Sequence, residues 1–413
     1  MQRFRFMRAQ LSRRQFLKGV GGAGLAGMFG STWSGASASA VDLPFVNGRR
    51  EVATNFPQKG PMILQRTRPP LLETPFEVFD QGVFTPNDRF FVRWHLANIP
   101  TIIDPATFRL KIYGNVRQPV SLTLDELVRK FEPVEMAAVN QCSGNSRGFF
   151  SPRVAGGQWA NGAMGNALWT GVSLREVLDR AGVNAGALQV RFRGLETGIL
   201  PQTPNFMKSL TVEHARDGEV MIAYAMNGEP LPLLNGYPLR LIVPGWYSTY
   251  WIKMLDDIEV LDKPDDNFWM TKAYLIPDTP FADITPGQPD VKMVPINRMV
   301  PRSFFTNVQS GATLKIGKPT TVRGVAFGGD AGVAKVLFSD DAGGHWREAR
   351  LGPDHGKYSF RQWDATLRPR SPGPQHLMIR AINTADVSQP ERANWNAGGF
   401  MRNVVESVSI QGV

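Results

Sequence analysis

The sequence predicts an α+β domain followed by a β-sandwich of immunoglobulin type. Three observations carry this reading. Strand-like and helix-like segments alternate at short spacing from about Phe76 to Ile276, two capping boxes mark helix starts within that stretch, and beyond Pro301 only short strand candidates remain.

The chain opens with Ser12-Arg13-Arg14-Gln15-Phe16-Leu17-Lys18, then an apolar glycine-rich stretch from Gly19 to Gly30 and small residues ending Ala38-Ser39-Ala40. That order reads as a twin-arginine export signal cleaved after Ala40, with a periplasmic destination. The apolar run is too short and too rich in glycine to span a bilayer. Residues 1–40 hold six of the 46 basic residues and no acidic one, which leaves 40 basic against 36 acidic side chains in the mature chain. The formal +10 of the whole chain is therefore no argument for nucleic acid.

A proline-dotted stretch through Pro57, Pro61, Pro69, Pro70 and Pro75 leads into the first domain, expected over 41–290. There Thr123-Leu-Asp-Glu126 and Ser173-Leu-Arg-Glu176 are capping boxes at the head of amphipathic runs, the second stopping near Gly182. Val190 to Gly194, Glu219 to Met226 and Leu239 to Val243 are rich in strand-forming residues, and Asn227-Gly228 marks a turn after the second. Six prolines between Pro277 and Pro301 suit an ordered linker. The second domain, expected over 291–413, offers strands at Thr320 to Phe327, Val333 to Ser339, His345 to Leu351, His376 to Ile382 and Val404 to Ile410.

The chemistry-bearing residues are sparse. Cys142 is the single cysteine, so no internal disulfide is possible. Read alone, it is by default a small buried hydrophobe in a core. None of the five histidines sits in a hydrolase motif beside it, and zinc would want more cysteines or clustered histidines. One thiolate does suffice for a metal whose other sulfur ligands come from an organic cofactor, and Arg147 five residues on could hold an anion near it.

The stretch Cys142-Ser-Gly-Asn-Ser-Arg147 resembles the cysteine loop of the sulfite oxidase family, most of all its bacterial sulfite dehydrogenase branch. Four further segments agree in order: Phe90-Phe-Val-Arg-Trp-His95, Gly157-Gln-Trp-Ala-Asn-Gly162, Asn235-Gly-Tyr-Pro-Leu-Arg-Leu-Ile-Val-Pro-Gly245 and Trp395-Asn-Ala-Gly-Gly-Phe-Met-Arg-Asn403. The resemblance implies a mixed molybdopterin domain and an immunoglobulin-like domain that often forms a dimer interface. It implies that Cys142 ligates molybdenum beside the dithiolene of the pterin. It places Arg93, Arg147, Tyr274, Arg402 and Trp159 around the substrate. His95, Asn235, Arg240, Trp251, Ile252 and Lys253 fall at its pterin contacts, Trp251 and Ile252 through main chain.

This sequence has Trp94 where many relatives have asparagine, Asn235 where they have histidine, and Gly398 where vertebrate-type members have arginine. The implied reaction is oxidation of sulfite to sulfate. With one cysteine the chain offers no Cys-x-x-Cys-His haem attachment, and Val41 to Pro75 is too short for a haem-b module. The expected electron acceptor is a periplasmic c-type cytochrome, as a separate protein or a subunit. Sulfane dehydrogenation, sulfoxide reduction and nitrate reduction share the fold, and a non-catalytic binding module is the reading from another class.

Overall fold

The computed structural model describes residues 39–413, so all but the last two positions of the expected export signal lie outside the described residues. Among the described residues the chain is mostly sheet, and the longest helix, Leu174–Ala181, has eight residues. The α+β expectation thus overstates the helices. With 41 glycines and 31 prolines, few stretches of this sequence can sustain more than two helical turns.

Both expected helices form, and their starts differ. Thr123 caps Leu124–Lys130 with a complete capping box, its hydroxyl accepting from the Glu126 N–H while Glu126 accepts from the Thr123 N–H. Ser173 makes no such bond. It is the last residue of strand Met164–Ser173 and is paired with Met221, and the Leu174 N–H donates to the Val220 carbonyl at 3.0 Å. Strand pairing fixes that helix start in place of the capping box. Gly182 ends the helix at φ 73°, as a left-handed C-cap.

Three sheets build the first part of the chain. An N-terminal antiparallel meander runs Ala40–Asp42, Arg49–Ala53, Met62–Arg66, Leu71–Glu73 and Val92–Arg93. A second sheet orders Met207–Thr211, Gln189–Gly194, Leu255–Leu261, Leu110–Gly114 and Val120–Leu122, with one parallel pair. A third joins Pro133–Gln141, Met164–Ser173 and Met221–Met226, and Arg240–Ile242 pairs beside the last. One apolar core containing Ile112, Phe192, Trp169, Met221 and Ile258 lies between these last two sheets. Asn227 and Gly228, both at positive φ, make the expected tight turn.

The proline-rich linker is not featureless, since Leu275–Pro277 and Met293–Pro295 pair as a hairpin across it. After it, two sheets face each other. One contains Arg302–Phe305, Thr320–Phe327, Arg361–Leu367 and Arg350–Leu351, and the other Thr313–Leu314, Glu406–Gly412, Gly373–Asn383, Val333–Ser339 and Arg347–Glu348. Val322, Phe338, Trp363 and Ile379 fill the space between them. The expected strand His345 to Leu351 is split into two pieces that pair in different sheets.

The two parts are joined by a further apolar cluster that includes Val139, Met164 and Tyr247 from the first and Phe304, Phe327 and Met401 from the second. Asp80 adds a forked ion pair with Arg323 at 2.8 and 2.6 Å. The N-terminal meander is tied in through Glu73. Its buried carboxylate accepts from the N–H groups of Ala160 (3.2 Å) and Gly162 (2.9 Å) and from Gln65 (2.7 Å).

Burial pushes the Glu73 carboxyl up to about 7, against the pull of those donors. A carboxyl whose folded pKa lies above its unfolded value binds its proton more tightly in the folded chain. Its contribution to stability therefore falls as pH rises from about 4.5 to about 7. Glu73→Gln is expected to flatten the pH dependence of the urea midpoint over that interval, and an unchanged slope would contradict the assignment.

Candidate functional site

Cys142 is the residue immediately after strand Pro133–Gln141, which is paired along its full length with Met164–Ser173. A buried strand pair thus delivers the thiol to the start of a tight loop. The Cys142 N–H donates to the Ala163 carbonyl at 2.9 Å, and its own carbonyl accepts from Asn145 N–H at 2.9 Å. Asn145 accepts from Ala163 N–H (3.0 Å), and Ser146, at φ 70°, donates from its hydroxyl to Asn161 (2.6 Å). A Cβ at position 144 would come 2.4 Å from the Arg147 guanidinium, so only glycine lets that side chain fold back over the loop.

On one side of Cys142 runs a narrow cleft lined by Arg93, His95, Asn235, Arg240, Thr249 and Lys253, among others. Arg240 is fully buried, donates to the Asn235 carbonyl at 3.0 Å and to Asn140 Oδ1 at 3.2 Å, and lies over the rings of Trp169 and Trp251. Burial pushes it down to about 9. Lys253 sits over Trp94 at 4.4 Å, its pKa lowered to about 8 by burial first and then by Arg240 and Arg93, against the pull of Glu196. Lys59 is a third buried cation. Its ammonium donates to the carbonyls of Asn87 and Phe90 and to Asn235 Oδ1, and burial brings it to about 7.

Among the described residues a single ion pair reaches these cations, Lys253 with Glu196 at 3.9 Å. Glu196 also accepts from the N–H groups of His95 and Leu96, at 3.0 and 2.9 Å. The His95 ring stacks on Phe206 with centroids 3.4 Å apart, and its Nε2 lies 2.7 Å from the Tyr274 hydroxyl. Burial, then Arg93, Lys253 and Lys208, hold His95 well below the usual imidazole range, so it is neutral. Tyr274 occupies φ 56°, and burial pushes its phenol up to about 12.

On the other side of Cys142 a wider chamber of about 560 Å³ is bounded by Arg93, Arg147, Trp159 and Tyr274 together with Arg50, Gln65, Arg66 and Phe400. Arg147 is held by two carbonyls, of Gly157 at 3.3 Å and Gly398 at 3.2 Å, with its plane over Phe400 at 5.2 Å. The Phe400 ring stacks on Tyr274 at 5.4 Å, and Met401 N–H donates to the Ser143 carbonyl at 2.9 Å. The segment 398–401 is therefore a strap laid across the cysteine loop.

Of the residues expected here, Arg93, His95, Cys142, Arg147, Trp159, Asn235, Arg240, Lys253 and Tyr274 all line one side or the other. Arg402 lies outside both. Its guanidinium is spent on Glu406 at 3.4 Å and on the Phe149 ring at 5.0 Å, and the strap presents Gly398 and Phe400 to the chamber instead. Trp251 and Ile252 donate their N–H groups to the carbonyls of Ser248 and Tyr250, leaving them a supporting place beneath Arg240. Asn235 lines the cleft, yet its side chain is already bonded to Lys59 and to the Phe91 carbonyl (3.1 Å), which makes it a brace. Sequence reading missed Lys59, Glu73, Glu196, Arg50 and Arg66, because lone charges in irregular or alternating segments carry no pattern. Phe400 stood inside a quoted motif and was passed over for Arg402.

Among the described residues, the buried donors Arg93 Nη1, Asn140 Nδ2, Arg147 Nε and Arg240 Nε have no hydrogen-bond partner. Uncompensated cations and unsatisfied N–H groups are costly out of water, so this cleft is built to receive an anion. Among the described residues no three His, Cys, Asp or Glu side chains cluster to hold a metal. The donor set of one thiol and a cationic cleft fits a metal that arrives with its own sulfur ligands on an anionic carrier.

Comparison with known proteins agrees with that chemistry. Residues 95–269 match the oxidoreductase molybdopterin binding domain, and residues 294–412 match the Mo-co oxidoreductase dimerisation domain. The chain is 32% identical to mitochondrial sulfite oxidase of Mus musculus over 83% of its own length and 64% of the relative's. It is 30% identical to sulfite oxidase of Gallus gallus over 80% of this chain and 73% of that one. The structure of the sulfane dehydrogenase SoxCD from Paracoccus pantotrophus superposes over 93% of both chains with a TM-score of 0.70 at 21% identity, a likeness of fold. The chain spans about 64% of the length of the mitochondrial relatives. Thirty per cent identity across most of the chicken enzyme, with both domain models in register, means that this chain belongs to the sulfite oxidase family of molybdopterin enzymes.

Proposed function

We propose that this chain oxidises sulfite to sulfate at a molybdenum cofactor held by Cys142 and passes the electrons to a c-type cytochrome. The observation that carries the reading is the arrangement about one thiol, with a cationic cleft on one side and an arginine-walled chamber without a carboxylate on the other. The cleft suits the anionic pterin, with Arg240 and Lys253 lining it for the phosphate, Glu196 bracing Lys253, and Lys59 acting from behind through Asn235. When bound, the cofactor supplies the two-electron redox change and the oxygen that sulfite gains.

The protein's own groups bind and orient. Arg93 and Arg147 hold the sulfite dianion in the chamber, where guanidinium forks match its oxygens. Arg147 is fixed by two carbonyls and a ring rather than by a carboxylate, so its charge stays available to the anion. Tyr274 keeps its proton at neutral pH and serves as a neutral hydrogen-bonding group, its hydroxyl anchored 2.7 Å from the neutral His95 ring. Trp159 and Phe400 wall the chamber beside the anion. Overall, sulfite and water yield sulfate, two protons and two electrons.

The broader assignments follow the same reading. The molybdopterin domain over 41–290 and the immunoglobulin-like domain over 291–413 divide cofactor binding from dimerisation, supported by the dimerisation-domain match at 294–412. The twin-arginine pattern around Arg13 and Arg14 supports export to the periplasm after cofactor insertion.

Cys142→Ser should fold, melt below the molybdenum-loaded parent because it lacks the bound cofactor, and lose most of its molybdenum by metal analysis. Full molybdenum in that variant would overturn the cofactor assignment. Tyr274→Phe is expected to retain molybdenum and lose about ten- to a hundredfold in kcat/KM, the worth of one hydrogen bond to a charged group. Stopped-flow mixing of enzyme and sulfite with cytochrome c should reduce the cytochrome. Turnover of thiosulfate-derived sulfane sulfur or methionine sulfoxide with none of sulfite would assign one of the fold's other chemistries.

A further inference from the structure

The chamber holds more positive charge than one small dianion at Cys142 would use. Among the described residues four arginines line it, Arg50, Arg66, Arg93 and Arg147, and no aspartate or glutamate does. Its volume of about 560 Å³ is many times the roughly 30 Å³ share of a single water, so an anion held by Arg93 and Arg147 leaves a large part of it open.

The outer two arginines come from the N-terminal meander, on neighbouring strands Arg49–Ala53 and Met62–Arg66. Arg50 makes no direct ion pair among the described residues, although its charge reaches the buried Glu73 carboxylate. Its Nε donates to Gln65 Oε1 at 3.1 Å, its Nη1 donates to the carbonyls of Asn47 and Arg49, and Gln65 in turn donates to Glu73 at 2.7 Å. Arg66 makes no side-chain hydrogen bond or ion pair among the described residues. It stands more open to solvent than Arg147, and both burial and the neighbouring Arg93 charge lower its pKa. The opposite wall contributes no cation, because Arg402 is turned away to Glu406 and the strap supplies Gly398 and Phe400.

We propose that Arg66 and Arg50 form an outer subsite for a sulfur oxyanion at the mouth of the chamber, a waiting position between solvent and the inner pair Arg93 and Arg147. Like charges gathered on a wall that carries no carboxylate raise the local concentration of a dianion and speed its capture. The subsite loads incoming sulfite and receives outgoing sulfate on the same guanidinium groups. This assignment rests on the reading of the chamber as a sulfite-oxidising site.

The test uses the molybdenum-loaded protein and its Arg66→Gln, Arg50→Gln and double variants, with Arg66→Lys as the charge-keeping control. Sulfate binding by titration calorimetry should weaken about tenfold in the double variant, and KM for sulfite should rise about tenfold with a smaller change in kcat. The dependence of kcat/KM on ionic strength should flatten in parallel, and Arg66→Lys should recover part of both losses. Sulfate affinity and KM within twofold of the parent in the double variant would overturn the subsite. If the parent fails to oxidise sulfite while sulfate binding still depends on Arg66, the subsite stands and the proposed reaction falls. If sulfite is oxidised and sulfate binding ignores both arginines, the subsite alone falls.

Discussion

Positive charge buried without its counter-charge is the constraint around which this protein is arranged. Arg93, Arg147, Arg240 and Lys253 line the two spaces that meet at one thiol, Lys59 lies behind Asn235, and among the described residues the single ion pair to these groups is a long one from Lys253 to Glu196. Such a cluster is tolerable only on a scaffold that cannot relax away from it. The paired strands Pro133–Gln141 and Met164–Ser173, the rings of Trp94, Trp169 and Trp251 under the cations, and the carbonyls that take up Lys59 and Arg147 are that scaffold. Aromatic faces and carbonyls steady a cation without cancelling its charge.

The same economy explains the carboxylates. Glu196 spends one oxygen on two backbone N–H groups, and Glu73 ties the N-terminal meander to the cysteine loop from behind while burial keeps its pKa near neutrality. Neither lines the chamber. Negative charge is thus used where it positions main chain and kept out of the space where a dianion must bind.

Much of the site was readable before the structure because its residues travel in motifs. Cys142 to Arg147 and Phe90 to His95 are short, contiguous and end-on to strands, so neighbours in sequence remain neighbours in space. Strands such as Thr320–Phe327 and Val333–Ser339 were readable from β-branched runs between turns. What escaped were groups whose role depends on burial or on long-range pairing. Lys59 is an isolated lysine beside a glycine, and nothing local reveals that three acceptors await it. Ser173 carries a capping sequence that strand pairing with Met221 overrides. Arg402 had the right chemistry and a motif around it, yet Glu406 one helical turn's spacing away in sequence claims it first.

The strap at 398–401 sets an order of events in the life of the chain. Arg147 receives one of its two fixing carbonyls from a residue 251 positions downstream, and Ser143 is bonded by Met401. Contacts of such long sequence separation form late, after loop closure has been paid in entropy. The strand that leads to Cys142 is likewise bonded across the two parts, the Val139 N–H donating to the Tyr358 carbonyl at 2.8 Å. Among the described residues, Gly398 and Phe400 are the chamber-lining residues that the second part of the chain supplies, so a bulky group at Cys142 is shut in on that side only by the docking of the C-terminal part.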